Sequence, residues 1–202
     1  MKKGKNKKIK IMLASTVYGF EDQISAIVAQ LTSIGYEVLN SHADTIKINS
    51  ELSNLENCLN AVEECDLFLG IIRQSYGSGN IGDKNITFEE IKRAIELKKP
   101  YWFLVQRDVV FARQLFKKMK AKDNSKKLFD VIDIKPDAFF DYRCIDVYEH
   151  VIKQDTPIEL RNGNWAQEFY RLDEVLTYIN TQFSNKELIK TILKHKEEGN
   201  GK

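Results

Sequence analysis

The sequence predicts an α/β fold, a three-layer, doubly wound parallel sheet with a C-terminal helical extension. Three observations lead there. Residues 67–72 (LFLGII) and 101–105 (YWFLV) are unbroken apolar runs, as expected of strands covered on both faces. Segments between such runs carry apolar residues at helical spacing. The two kinds of segment alternate, which implies βαβ units, a parallel sheet and right-handed crossovers.

Each element has its own local reason. Residues 9–14 are apolar and follow a charged stretch, so they form the first strand. Ile24, Ile27, Val28, Leu31 and Ile34 mark a helix over residues 21–34, and Gly35 supplies the residue tolerant of positive φ that a helix end wants. Residues 36–39 are a second strand. A helix from Ser50 carries Leu52, Leu55, Leu59 and Val62, with Cys58 and Cys65 on the same stripe as core residues. After the 67–72 strand come a helix over 87–97 and the 101–105 strand. Residues 109–120 are amphipathic, 145–152 a short helix, 156–164 a loop, 165–170 the last strand and 172–183 a helix. The resulting organisation is a basic disordered arm (1–8), a single domain (9–185) and a charged helical tail (186–202). The domain has its core over 9–120 and its C-terminal completion over 121–185.

Composition narrows the function. The chain has 202 residues, 43% of them hydrophobic, enough for a sizeable core. Lys+Arg 31 against Asp+Glu 29 leaves a formal charge of +2, which argues against a nucleic-acid coat. Three cysteines without tight spacing (Cys58, Cys65, Cys144) and three scattered histidines suggest neither a disulfide framework nor a metal centre. The lysine-rich start is a solvated arm, not a leader, since the apolar run after it is short. No stretch approaches a membrane span. A cytoplasmic protein with no metal and no bound cofactor is expected.

In an open parallel sheet, ligands bind beyond the carboxyl ends of the strands, where strand order reverses. Three loops reach that edge: residues 15–20, 41–49 and 73–86. The third contains Gly77-Ser78-Gly79-Asn80-Ile81-Gly82, a formal G-x-G-x-x-G set too far from both its strand and its helix to be the dinucleotide fingerprint. It is not a phosphate-binding P-loop either, because Asp83 stands where a lysine is needed. In the first loop, Ser15 and Thr16 can hold a phosphate or ribose, or cap the next helix. Tyr18 and Tyr76 can stack on a base, or pack locally.

Glu90 is the residue best placed for chemistry. Helical residues step by about 100°, so Glu89 falls among Lys92, Arg93 and Glu96 on the solvent face. Glu90 falls between Ala94 and Leu97, on the flank of the apolar face. A carboxylate there is partly desolvated and points toward the strand ends. The competing account is a capping box, Thr87-x-x-Glu90, in which Thr87 caps the helix and Glu90 bonds back to its backbone.

Taken together, these residues resemble the DUF4062 family. The resemblance is carried by Ser15-Thr16-x-Tyr18, Cys65-Asp66 with the strand after it, Tyr76-Gly77-Ser78, Thr87-x-x-Glu90 and Lys99-Pro100. The stretch from Arg161 to Phe169 also resembles bacterial members, and the likeness runs over roughly residues 8–185. That family is similar in layout to TIR domains and nucleoside 2-deoxyribosyltransferases, which implies a flavodoxin-like, TIR-like sheet. In the transferases a glutamate lies ten residues before the proline of a Gly-Lys-Pro sequence, and Glu90 lies ten residues before Pro100. Two departures are visible: Asn85-Ile86-Thr87 stands in place of Ser-x-Thr, and the transferases' Gly-Thr-x-x-Glu is absent.

The resemblance implies an N-glycosidase or glycosyltransferase acting on NAD or a nucleotide, in bacterial signalling or anti-phage defence. Glu90 would be the catalytic group. Ser15, Thr16, Tyr18, Tyr76, Gly77, Ser78 and Thr87 would hold the ligand, and Asp66 would support the site. The alternative is a non-catalytic signalling, ligand-sensing or protein-interaction module of the same fold. The expected partners are a small nucleotide ligand and either a second copy of the chain or an effector protein, with no membrane and no nucleic acid.

Overall fold

The computed structural model describes residues 8–77, 80–81, 84–119 and 139–200. The basic arm, Ser78, and the segment 120–138 therefore lie wholly or almost wholly outside the described residues.

Five strands form one parallel sheet in the order β2-β1-β3-β6-β7. They are β1 (Lys10–Ser15), β2 (Glu37–Leu39), β3 (Leu67–Ile72), β6 (Tyr101–Gln106) and β7 (Ala166–Phe169). A two-stranded antiparallel hairpin, β4 (Asn80–Ile81) with β5 (Lys84–Asn85), interrupts the crossover from β3. In register, Met12 of β1 stands between Leu39 of β2 and Phe68 of β3. The continuous apolar run of β3 is buried at every position, because it is the central strand and both its faces are covered. Order reverses between β1 and β3, so the sheet has its switch point where β1 ends.

One face is covered by α1 (Glu21–Ile34), α6 (Leu172–Phe183) and α7 (Lys186–Asn200), which pack on Ile11, Leu13, Leu69 and Ile71. The other is covered by α2 (Asn54–Glu64), α3 (Ile86–Glu96), α4 (Arg107–Lys118) and α5 (Arg143–Val151), around Met12, Phe68, Phe103 and Val105. Helix α1 ends as its sequence requires. Gly35 takes φ +107°, and its N–H donates to the carbonyls of Leu31 and Thr32.

Two elements differ from expectation for physical reasons. Helix α2 starts at Asn54, not Ser50, because Ser53 and Glu56 form a complete capping box. Helix α3 starts at Ile86 because Asn85 is its cap: the Asn85 side chain accepts from the Phe88 N–H at 2.9 Å. Thr87 is thus inside the helix, and the Thr87–Glu90 capping box does not form. In the charged tail, helix α7 buries Ile189 fully in the core beside α1 and Phe183.

Candidate functional site

The loops that leave β1, β2 and β3 meet helices α2 and α3 around a cavity of about 320 Å³ at the carboxyl edge of the sheet. That is the lower end of the range for small-molecule pockets. Leu13 and Ser15 of β1 lie in its wall, followed by Thr16, Val17 and Tyr18. Asn57 and Cys58 enter from α2, Gly77 from the loop after β3, and Thr87 and Glu90 from α3.

The walls are held by side chains that bond backbone. Arg73, the first residue after β3, is only 8% exposed. Its guanidinium donates to the Thr16 carbonyl (3.0 Å), the Tyr18 carbonyl (3.0 Å) and the Gly19 carbonyl (3.4 Å), and lies 4.4 Å from the Phe20 ring centroid. The first loop is therefore pinned to the end of the central strand by a cation. Burial lowers this guanidinium to about 10, still far above neutrality, so it remains charged.

Asn85 links the third loop to α3: its Oδ1 caps the helix and its Nδ2 donates to the Tyr76 carbonyl. Gly77 sits between these groups with φ +89°, and a Cβ there would come to 3.0 Å from Thr16 Cγ2 and 3.3 Å from Asn85 Nδ2. Only glycine meets both requirements, the left-handed backbone and the close approach. Asn57 shapes the second loop, donating to the carbonyls of Asn49, Leu52 and Ser53 and accepting from the Asn49 N–H at 2.8 Å.

Glu90 lies on the cavity floor and is 3% exposed. Burial pushes its carboxyl up to about 8, because the charged form is stripped of water. The Cys58 thiol, which lines the same cavity from α2, pulls in the opposite direction. Its neighbour Glu89 points away and pairs with Lys92 at 2.7 Å. The helical phase read from the sequence thus distinguishes two adjacent glutamates correctly. A carboxyl that titrates near neutrality can be a proton donor below its midpoint and a nucleophile or base above it.

Of the other residues singled out, Ser15, Thr16, Tyr18, Gly77 and Thr87 line the cavity with Glu90. Tyr18 is 70% exposed at the rim, and the Ser15 hydroxyl donates to the Thr16 carbonyl at 3.1 Å. Two residues are placed elsewhere. The Tyr76 ring is turned into the core on the α3–α5 side, where the Arg143 guanidinium lies 4.4 Å from its centroid. Asp66 precedes β3 and so lies at the amino edge of the sheet, where it accepts from the Lys10 backbone N–H at 2.8 Å. Neither lines the cavity, and Asp66 cannot support it from the opposite end of the strands. Ser78 lies outside the described residues.

Residues that the loop motifs did not single out are Arg73, Asn57, Asn85 and Cys58. Arg73 had one legible signal, a cation directly after a buried strand. Asn85 had another, an amide two residues before Thr87. Among the described residues there is no group of three or more His, Cys, Asp or Glu placed to hold a metal ion. Among those residues too, no helix is long and apolar enough to cross a membrane.

Comparison with known proteins adds three findings. A family model described as "Domain of unknown function (DUF4062)" matches residues 10–155. No curated protein matches the chain. Among solved structures, one described as the Clostridium botulinum CMP N-glycosidase BcmB is similar at a TM-score of 0.43 and 16% identity. That match covers 85% of this chain and 98% of the other.

Proposed function

The chain belongs to the DUF4062 family, and we propose that it is an N-glycosidase or glycosyltransferase that cleaves the N-glycosidic bond of NAD or a nucleotide at Glu90. One observation carries the reading. A nearly inaccessible carboxyl stands on the floor of the switch-point cavity, opposite the hydroxyl-bearing loop of residues 15–18. A structural glutamate has no need of that position, since a buried charge without a cation is costly.

The chemistry follows from the environment. Attack at the anomeric carbon needs an electron-rich oxygen held close to it, and the charged Glu90 carboxylate supplies one. It forms the new C–O bond as the C–N bond to the base breaks, and the departing base takes the bonding electrons. Water then hydrolyses the glycosyl ester, or an acceptor takes the sugar. Nicotinamide in NAD leaves as a neutral ring and needs no added acid, which suits a cavity whose described lining has one carboxyl. The hydroxyls of Ser15, Thr16 and Thr87 are suited to bonding ribose or phosphate oxygens, and Tyr18 at the rim to covering the ring.

Because the working form is the anion, turnover should rise as pH passes the Glu90 midpoint near 8. The test is a screen of the purified protein against NAD, nucleoside monophosphates and nucleosides, with free base or nicotinamide read by chromatography. Glu90→Gln should cut turnover on the order of 10³-fold or more while leaving the circular-dichroism spectrum intact. Equal turnover by wild type and Glu90→Gln overturns the assignment. No released base from any of these compounds favours a ligand-sensing module instead.

A further inference from the structure

We propose that the outer edge of β7, with the cleft beside it, docks an extended segment of a partner protein, paired backbone to backbone and alternating basic with apolar side chains. The proposal goes beyond the glycosidase reading and does not depend on it.

The edge is defined by register. β7 pairs in parallel with β6 from Ala166 to Phe169, and among the described residues no strand lies on its other side. A cleft of about 970 Å³ reaches that edge. Successive strand residues point to opposite faces of a sheet, yet Gln167, Glu168 and Phe169 all line the cleft. A concavity that meets three consecutive residues runs along the strand's edge and not over one face. Such an edge presents a row of N–H and C=O groups without a strand partner, which is the template for adding a peptide strand.

The side chains state what kind of strand fits. Phe169 belongs to the core under α1 and α6, and Ala166 packs on the core under α4 and α5, so Glu168 faces the α4 side. The α6 side of the cleft is aromatic, with Trp102 and Tyr178 packed against that core. Trp165 stands exposed over the cleft, aromatic area of the kind that anchors interfaces. The acids of the lining are Glu168, Asp173 and Glu174, against one cation, Arg107. Asp173 pairs with Arg171, and Glu174 accepts backbone N–H groups. Glu168 is exposed and has no ion-pair partner among the described residues. An added strand therefore meets a free carboxylate on one face and aromatic rings on the other. Its side chains alternate between the same two faces, so lysine or arginine suits one set and apolar residues the other.

The same charge disfavours a second copy of this chain. Two β7 edges paired about a two-fold axis bring both Glu168 side chains into one four-residue ladder, and like charges across strands are destabilising.

The test uses the full chain and synthetic eight-residue peptides that alternate lysine with valine. Binding is followed by tryptophan fluorescence, and hydrogen exchange should show the amides of residues 166–169 protected by the peptide. Two further peptides are methylated at alternate backbone nitrogens, one on each edge. One should bind as the parent does and the other at least ~tenfold more weakly, because a single edge of the added strand faces β7. Trp165→Ala should weaken binding roughly tenfold or more, and Glu168→Lys should weaken it similarly while admitting a peptide that alternates glutamate with valine. Both side chains are exposed, so neither variant puts folding at stake. No binding at millimolar peptide overturns the proposal, as does binding that both variants leave unchanged or that tolerates methylation on either edge. A dimer in sedimentation that Trp165→Ala dissociates assigns the edge to a second copy and also overturns it.

Discussion

Two concavities, one at the β7 edge and one at the switch point, show how little volume says about chemistry. The cleft beside β7 has a volume of about 970 Å³, roughly three times that of the cavity at the switch point. It is lined by Trp102, Trp165 and Tyr178 together with Asp173 and Glu174. Two of its three acids already have partners. Asp173 pairs with Arg171 at 2.6 Å, and Glu174 accepts from the Tyr170 and Arg171 N–H groups at 2.7 and 3.2 Å. Both are held below the usual carboxylate range by those contacts. At the switch point the smaller cavity holds a carboxyl displaced the other way, upward, by burial. A partnered carboxylate in water has nothing left to offer a substrate, whereas a desolvated one has a free energy of ionisation that a ligand can change.

The largest test of this contrast is the pH dependence of stability. Glu90 titrates near 8 in the folded chain and near its ordinary 4.5 when unfolded. Its neutral form therefore stabilises the fold fully below about 4.5, and that contribution is lost as pH rises through about 8. Glu90→Gln, which cannot ionise, should overtake wild type across this window by on the order of 5 kcal/mol, or ~10–20 °C in Tm. Asp173 has the opposite sign: its contribution is present above its ordinary value and lost as pH falls through the depressed one, so Asp173→Asn should lose its disadvantage only in acid. Thermal melts of the two variants over pH settle the matter. Tm differences from wild type that are flat for Glu90→Gln would end the distinction between the regions.

Next in size is the clamp on the first loop. Arg73→Ala leaves three carbonyls of residues 16–19 without their donor and should cost ~2–4 kcal/mol in urea unfolding. Arg73→Lys should recover only part, because an ammonium cannot span the same fork. A loss no greater than that of an exposed arginine would show that the cavity wall is held by something else.

The smallest effects belong to residues that differ from the site by one step in sequence or by one edge in space. Glu89→Gln removes an i,i+3 pair with Lys92 and should cost ~0.3–0.5 kcal/mol without altering turnover. Trp165→Ala, at a side chain 71% exposed over the β7 cleft, should change neither stability by more than ~0.5 kcal/mol nor base release. Lost turnover in Trp165→Ala would move the chemistry to the cleft.

The sheet was legible because its three inner strands are doubly buried and so read as apolar runs. Glu90 was legible because 100° of helical phase separates it from Glu89. What was not legible depends on groups far apart in sequence. Tyr76 follows a strand and precedes a glycine, a pattern that suits a loop aromatic. Its inward turn is set by Arg143 and α5, more than sixty residues later. Arg73 bonds carbonyls, which leave no trace in side-chain chemistry. Asp66 was misassigned although its place before β3 puts it at the amino edge. The α3 cap was off by two because the hairpin strand β5 carries the chain through Asn85 before the helix begins.

The proton on Glu90 alters the account of the molecule's charge. A formal count of +2 treats every carboxyl as ionised. In the folded chain near neutral pH this one is mostly protonated, so the protein is close to one unit more positive than its composition states. A ligand that brings a cationic ring to the cavity must therefore displace a proton into solution, and its binding heat will depend on the ionisation enthalpy of the buffer that receives it.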